Sequence, residues 1–327
     1  MLCVIKGGEL MKISKGSKIF FLLGLIVVVV ISASVYAINR NNQETLTEVE
    51  LPIVEWPGVT QKTHVVSEIL ESLGYQVNIN QYALPVILEG LSEGDLDVFT
   101  GTWFQTWGTP LKNKLADGSV VHVSTQLEDT NYGPAVPYYV YEAGVTSLAD
   151  LSEYSEEFNH TYYGLESGND GNQIMIDAFD NNIYDLGDWK IVESSTAAMI
   201  QHVQNYMNNE EWIVFSGWEP HWMNVVLDMR YLDDPEGIWG EDEKVGTIAR
   251  KGLKDDDPNL YKFFEQFDIN NEIQSEWIYE YSRKNRSPNV VAKEWVSENL
   301  DLVLEWVDGV HTVDGRDAGE VLKEIYK

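Results

Sequence analysis

From Val49 onward, short apolar runs alternate with segments whose apolar residues recur at helical spacing. Residues 50–56 (ELPIVEW) read as a strand, with a Pro57-Gly58 turn after it. Residues 61–73 put Val65, Val66, Ile69, Leu70 and Leu73 on one helical face, and Gly74 supplies a stop. Residues 75–80 read as a second strand, 85–93 as a helix and 97–102 as a third strand. This strand–helix alternation predicts an α/β fold with a parallel sheet. The middle of the chain repeats the scheme, with a short helix start at 147–151, strands at 160–164, 190–193 and 212–217, and helices at 171–181 and 195–208. After Gly246 the pattern is helical, over 257–267, 271–283, 288–308 and 315–325, the last preceded by a cap in Asp314-Gly-Arg-Asp317. No internal repeat is visible.

The amino-terminal part differs. Residues 19–38 are an apolar run containing FFLLGLIVVVVIS, preceded by Lys12, Lys15 and Lys18. About 20 apolar residues suffice to cross a bilayer, and a basic flank stays in the cytoplasm. Residues 1–18 therefore read as a cytoplasmic basic region, 19–38 as a membrane anchor and 39–49 as a polar linker. Val35-Tyr36-Ala37 also has the small-residue form of a cleavage site, so a cleaved signal is the alternative. Met11 offers a second start. In both cases the body of the chain is expected on the extracellular or periplasmic side.

The chain has 327 residues, enough for one large domain or two lobes, and carries 53 Asp and Glu against 22 Lys and Arg, a formal charge of −31. That surface repels nucleic acid and favours cationic or zwitterionic ligands, although a solubility adaptation, such as one to high salt, is the leading explanation of the charge itself. The single cysteine, Cys3, excludes a disulfide framework, and with none after the apolar run a lipidated terminus is not expected. The six histidines show no metal-ligand spacing, so neither metal nor cofactor is expected.

Eleven tryptophans stand out. Trp56, Trp103 and Trp218 lie at predicted strand ends beside Gly or Pro, where α/β sheets bind ligands. Indole faces attract a cation that has no hydrogen-bond donor, each contributing about 0.5–2 kcal/mol. Core packing is the competing role for any one of them, and the expected role for Trp189, Trp212, Trp239, Trp277, Trp295 and Trp306. Trp107 and Trp222 stay undecided between the two. In GLESGNDGNQ, Asn169 reads either as a ligand contact or as a helix cap, with Asp170 beside it.

The segments EWPGVTQKTHVVSEILESLGY, DVFTGTWFQTW, NYGPAVPYYVYEAGVTSLADL, YGLESGNDGN and VFSGWEPHW resemble those of substrate-binding proteins of ABC importers for glycine betaine, proline betaine and choline. The choline/betaine-binding branch is the nearest, and the resemblance covers nearly all of 50–327. It implies a type II periplasmic-binding-protein fold, two α/β lobes with a ligand cleft between them: lobe 1 from 50–128 and 238–327, lobe 2 from 129–237. It also implies an aromatic cage with walls from Trp56 and Trp103 in lobe 1 and Trp218 and Tyr132 in lobe 2, and a polar contact from Asn169. Choline binders in the family carry an Asp two positions after the first cage Trp; here that position is Gly58. Loss of an acid near the ligand's polar end suits a carboxylate-bearing ligand, so glycine betaine is expected ahead of choline. The expected partners are the quaternary ammonium ligand, an ABC permease and its ATPase, and the membrane. A membrane-anchored sensory module would share the same cage. A secreted enzyme such as a glycosidase is disfavoured, because no carboxylate pair is singled out and no catalytic residue is expected.

Overall fold

The computed structural model describes residues 5–6, 9–10 and 47–327 apart from 129 and 241. The expected anchor at 19–38 lies outside the described residues, as does most of the linker. Among the described residues no helix is long and apolar enough to cross a membrane.

Strand β1 (Glu48–Ile53) starts two residues before the sequence pattern indicated. It pairs in parallel with β2 (Gln76–Gln81), Leu51 facing Ile79. Between them runs a helix over Pro57–Ser72, which begins earlier than its apolar stripe suggests. Proline is well placed at its first position, where no intrahelical acceptor exists for an N–H and its fixed φ suits the helix. Val65, Val66, Ile69 and Leu70 are fully buried as the periodicity predicts, and each such side chain stabilises the fold by about 1.5–3 kcal/mol. Helix Leu84–Glu93 leads to β3 (Val98–Trp103). The Asp97 N–H donates to the Glu50 carbonyl at 3.1 Å and sets β3 beside β1.

Several elements were not legible in the pattern. Helix Gly108–Asp117 and strand β4 (Val120–Leu127) follow β3, and β5 (Asn131–Pro137) opens a second sheet. That sheet gains β6 (Thr161–Tyr163), β7 (Lys190–Val192), β8 (Val214–Glu219) and β9 (Met229–Tyr231), in the order β9-β5-β8-β6-β7. Helices Asp170–Asp180 and Thr196–Asn208 are its crossovers. The chain then returns to the first lobe as β10 (Val245–Arg250), which lies between β3 and β4 and antiparallel to both. The expected parallel sheet therefore holds for β1–β2 and for β6–β7–β8, while β10 makes the first lobe mixed. The predicted helix over 288–308 is two helices, Pro288–Glu298 and Leu300–Trp306, broken at Asn299. The one over 271–283 is an α-helix to Ile278 that loosens into a π-turn at Tyr279–Arg283.

Burial follows the same division. One apolar cluster draws only on residues between Tyr132 and Trp239, and two others use residues on either side of that stretch. Trp103 packs against all three. Trp277 and Trp306 are almost wholly buried, and Trp295 stacks on Trp306 at 5.8 Å, so these three indoles belong to the core as expected.

Candidate functional site

A cavity lies where the carboxyl ends of β3 and β8 meet the start of helix Pro57–Ser72. Its lining includes Trp56, Trp103, Tyr132 and Trp218. Each wall is positioned by a different local rule. Trp103 is the last residue of β3, opposite Val245 on β10. Trp218 on β8 lies directly across the antiparallel ladder from Tyr132 on β5, so one register decides both second-lobe walls. Trp56 does not end a strand; it lies past β1 as the N-cap of the helix. Tyr132 contacts two of the other rings, Trp103 at 5.4 Å and Trp218 at 6.5 Å between centroids. Trp239 packs behind Tyr132 at 5.1 Å, outside the cavity. Gly171 is required by this packing, because a Cβ there would fall 2.3 Å from the Tyr132 hydroxyl.

Contacts between the two lobes close the site. The Trp56 indole N–H donates to Glu166 Oε1 at 2.8 Å. Thr106 Oγ1 donates to Asp170 Oδ2 at 2.9 Å. On the far side the Trp222 indole N–H donates to Ser282 Oγ at 2.8 Å. Trp56, Tyr132 and Trp218 are consequently 6–8% exposed. His221 packs on Trp218 at 4.8 Å, and burial holds its imidazole neutral, pushed down to about 3. His221 therefore adds no positive charge behind that wall, whereas Glu166 accepts from the Trp56 indole N–H.

The family model described as the substrate binding domain of ABC-type glycine betaine transport systems matches residues 47–298. The chain belongs to this family. Within it, the chain is 38% identical over 160 residues to the glycine betaine/carnitine transport binding protein GbuC of Listeria monocytogenes serotype 1/2a (strain 10403S). That match takes in 49% of this chain and 53% of GbuC, about half of that relative's length. An ABC-transporter choline binding protein solved with choline superposes with a TM-score of 0.84 at 29% identity, covering 87% of this chain and 99% of that one. Lactococcal OpuAC, solved closed with glycine betaine, gives 0.71 at 28% identity, covering 80% and 99%. The type II binding-protein fold expected from the sequence is thus the observed one.

For a member of this family the polar part of the site departs from expectation. Asn169 does not line the cavity. Its Oδ1 accepts from the Tyr132 hydroxyl at 2.8 Å and from the Asn172 N–H at 3.2 Å, and its amide donates to Glu166. It caps helix Asp170–Asp180 and holds the Tyr132 wall in place. Asp170 is likewise outside the lining, engaged by Thr106 and by the Gly171 N–H. Gly58 does line the cavity, and so do two residues the sequence reading passed over, Lys62 and Gln274. Lys62 lies on the same buried stripe as Val59 and Val66, and a lysine at core spacing was the signal that could have revealed it. Trp107 resolves as core, edge-on to Phe99 at 5.8 Å. Trp222 borders a separate groove with Glu55 and Tyr281.

Burial pushes the Asp170 carboxyl up to about 7, from an ordinary value near 3.9. A carboxyl raised in the folded state lends stability that is complete below its unfolded value and is lost as pH rises through its folded one. Part of the protein's stability should therefore disappear between about pH 4 and pH 7. Asp170→Asn keeps the shape and removes that loss. Its melting temperature is expected to exceed wild type by several degrees at pH 8 and to match it at pH 4. A variant that melts with wild type at both pH values would show that the carboxylate is accommodated without penalty.

Proposed function

We propose that this chain is the extracytoplasmic receptor of an ABC importer and that it captures glycine betaine. The observation that carries the reading is the composition of the cavity: four aromatic faces and, among the described residues lining it, no carboxylate. A quaternary ammonium cannot donate a hydrogen bond and is held by such faces together with burial. The opposite end is suited to a carboxylate. Helix Pro57–Ser72 opens with no side-chain cap, and its first intrahelical bond is from the Thr60 N–H to the Trp56 carbonyl at 3.0 Å. The N–H groups of Gly58 and Val59 precede that bond, and helix starts favour anions.

Trp56, Trp103, Tyr132 and Trp218 are then the ligand-binding walls, with Asn169 and Asp170 as supports and Gly58 as the position that frees the helix start. We take lobe 1 as 50–128 with 238–327 and lobe 2 as 129–237. The confinement of β5–β9 to 131–231 supports that division. Family membership supports a carrier, not an enzyme, and with it a permease and ATPase as partners. The Lys-flanked run at 19–38 supports anchoring at the outer face of the cell membrane. Choline is the second candidate, because the choline-bound structure superposes well.

Thermal-shift and calorimetric titrations of the purified full chain test the ligand. Glycine betaine should raise the melting temperature and bind more tightly than choline. Choline outcompeting glycine betaine would overturn the ligand assignment and leave the cage standing, whereas no response to any quaternary amine would remove the cage as well.

A further inference from the structure

We infer that Lys62 is the counter-ion of the ligand's carboxylate and sets the site's preference for zwitterionic over purely cationic quaternary amines. This rests on the reading of the cavity as a quaternary-ammonium site. Lys62 is 1% exposed and lines that cavity one helical turn beyond Gly58. Its ammonium donates to the Thr100 carbonyl at 3.1 Å, which uses one of three N–H groups. Among the described residues no carboxylate lies within ion-pair distance of it, although the chain carries 53 acidic side chains.

A buried ammonium without an anionic partner is costly to a fold, and burial alone pulls it down to about 7. Gln274, 4% exposed, also lines the cavity. Its Nε2, the donor end of the amide, lies over Gly58, 2.6 Å from where a Cβ would stand. The helix start, the Lys62 ammonium and the Gln274 Nε2 therefore gather donors at one end of a cavity whose other walls are aromatic and aliphatic. A ligand carboxylate would supply the anionic partner that Lys62 lacks. A ligand with no anion, such as choline, would instead bring a second positive charge toward Lys62 in a poorly screened space. A purely structural lysine tied to Thr100 would have no such effect on ligand choice.

The test compares wild type with Lys62→Met in calorimetric titrations of the full chain, using glycine betaine and tetramethylammonium, which offers the ammonium end alone. The variant should lose at least about a hundredfold in glycine betaine affinity, because a buried pair would be broken. Its tetramethylammonium affinity should change less than about threefold or improve. The ligand-free variant should melt no lower than wild type, since a buried charge has been removed. Equal losses for both ligands, or unchanged glycine betaine binding, would overturn the inference while the cage stood. A wild-type protein that binds neither ligand would overturn the quaternary-ammonium reading and the inference with it. The methyl ester of glycine betaine gives an arm that needs no variant. Wild type should bind it at least about tenfold more weakly than the acid, the loss of one charge-assisted bond; equal binding would contradict an ionic contact.

Discussion

Trp103→Ala is expected to weaken glycine betaine binding by at least about thirtyfold, the combined loss of one cation–π face and its share of ligand burial. Trp103 should be the most sensitive wall. It closes the first-lobe side of the cavity at the end of β3 and lies 5.4 Å from Tyr132 across the cleft. It also packs against all three apolar clusters, so its truncation loosens both the cage and the closed arrangement that completes it. Trp56→Ala and Trp218→Ala should each cost at least about tenfold. Trp103→Phe, which keeps a ring face, should recover most of the loss and so separate the cation–π contribution from folding. Calorimetry on the three alanine variants decides the matter: parental affinity in all of them would mean that the aromatic box is not the ligand site.

Gly58→Asp should reverse the ligand preference. A carboxylate at the second residue of helix Pro57–Ser72 is favoured by the helix start, accepts from the choline hydroxyl and repels the carboxylate of glycine betaine. It would also stand one turn before Lys62 and offer that ammonium an internal partner. Glycine betaine should weaken by at least about tenfold and choline should become the tighter ligand, as measured by competition titration. The new Cβ would meet Gln274 Nε2 at 2.6 Å. That contact is with the far end of a flexible side chain, so Gln274 can swing aside while the backbone stays in place. A Gly58→Asp protein that still prefers glycine betaine would show that the residue at 58 does not govern discrimination.

The lobes' parallel strand–helix units were readable because their periods are local. Val65, Val66, Ile69 and Leu70 recur at helical spacing, and all are fully buried. Elements defined by distant partners were not. Strand β5 carries Gly133, Pro134 and Pro137 and reads as a breaker-rich loop, yet it is held as a strand between β8 and β9. Strand β10 is a six-residue segment whose partners, β3 and β4, lie more than a hundred positions earlier. Nothing in its own residues announces that it will complete the first-lobe sheet.

The site divides in the same way. Trp56, Trp103 and Trp218 could be named from the chain alone, because each reads as the end of an element beside Gly or Pro, whereas Tyr132 could be named only from the family resemblance of its segment NYGPAVP. Asn169 is expected from the resemblance as a polar ligand contact, but a cap draws on the same residue type, and the fold places it outside the cavity lining as a cap and a support for Tyr132. Lys62 and Gln274 needed the tertiary structure. A lysine on a helix is ordinarily a solvated charge, and only the packing of β3 and helix Asn271–Ile278 around the helix start turns this one inward, beside a glutamine from far along the chain. Local sequence thus determined which rings could form a cage. Long-range packing decided which charge faces the cavity, because burial of a charge is a property of everything that surrounds it.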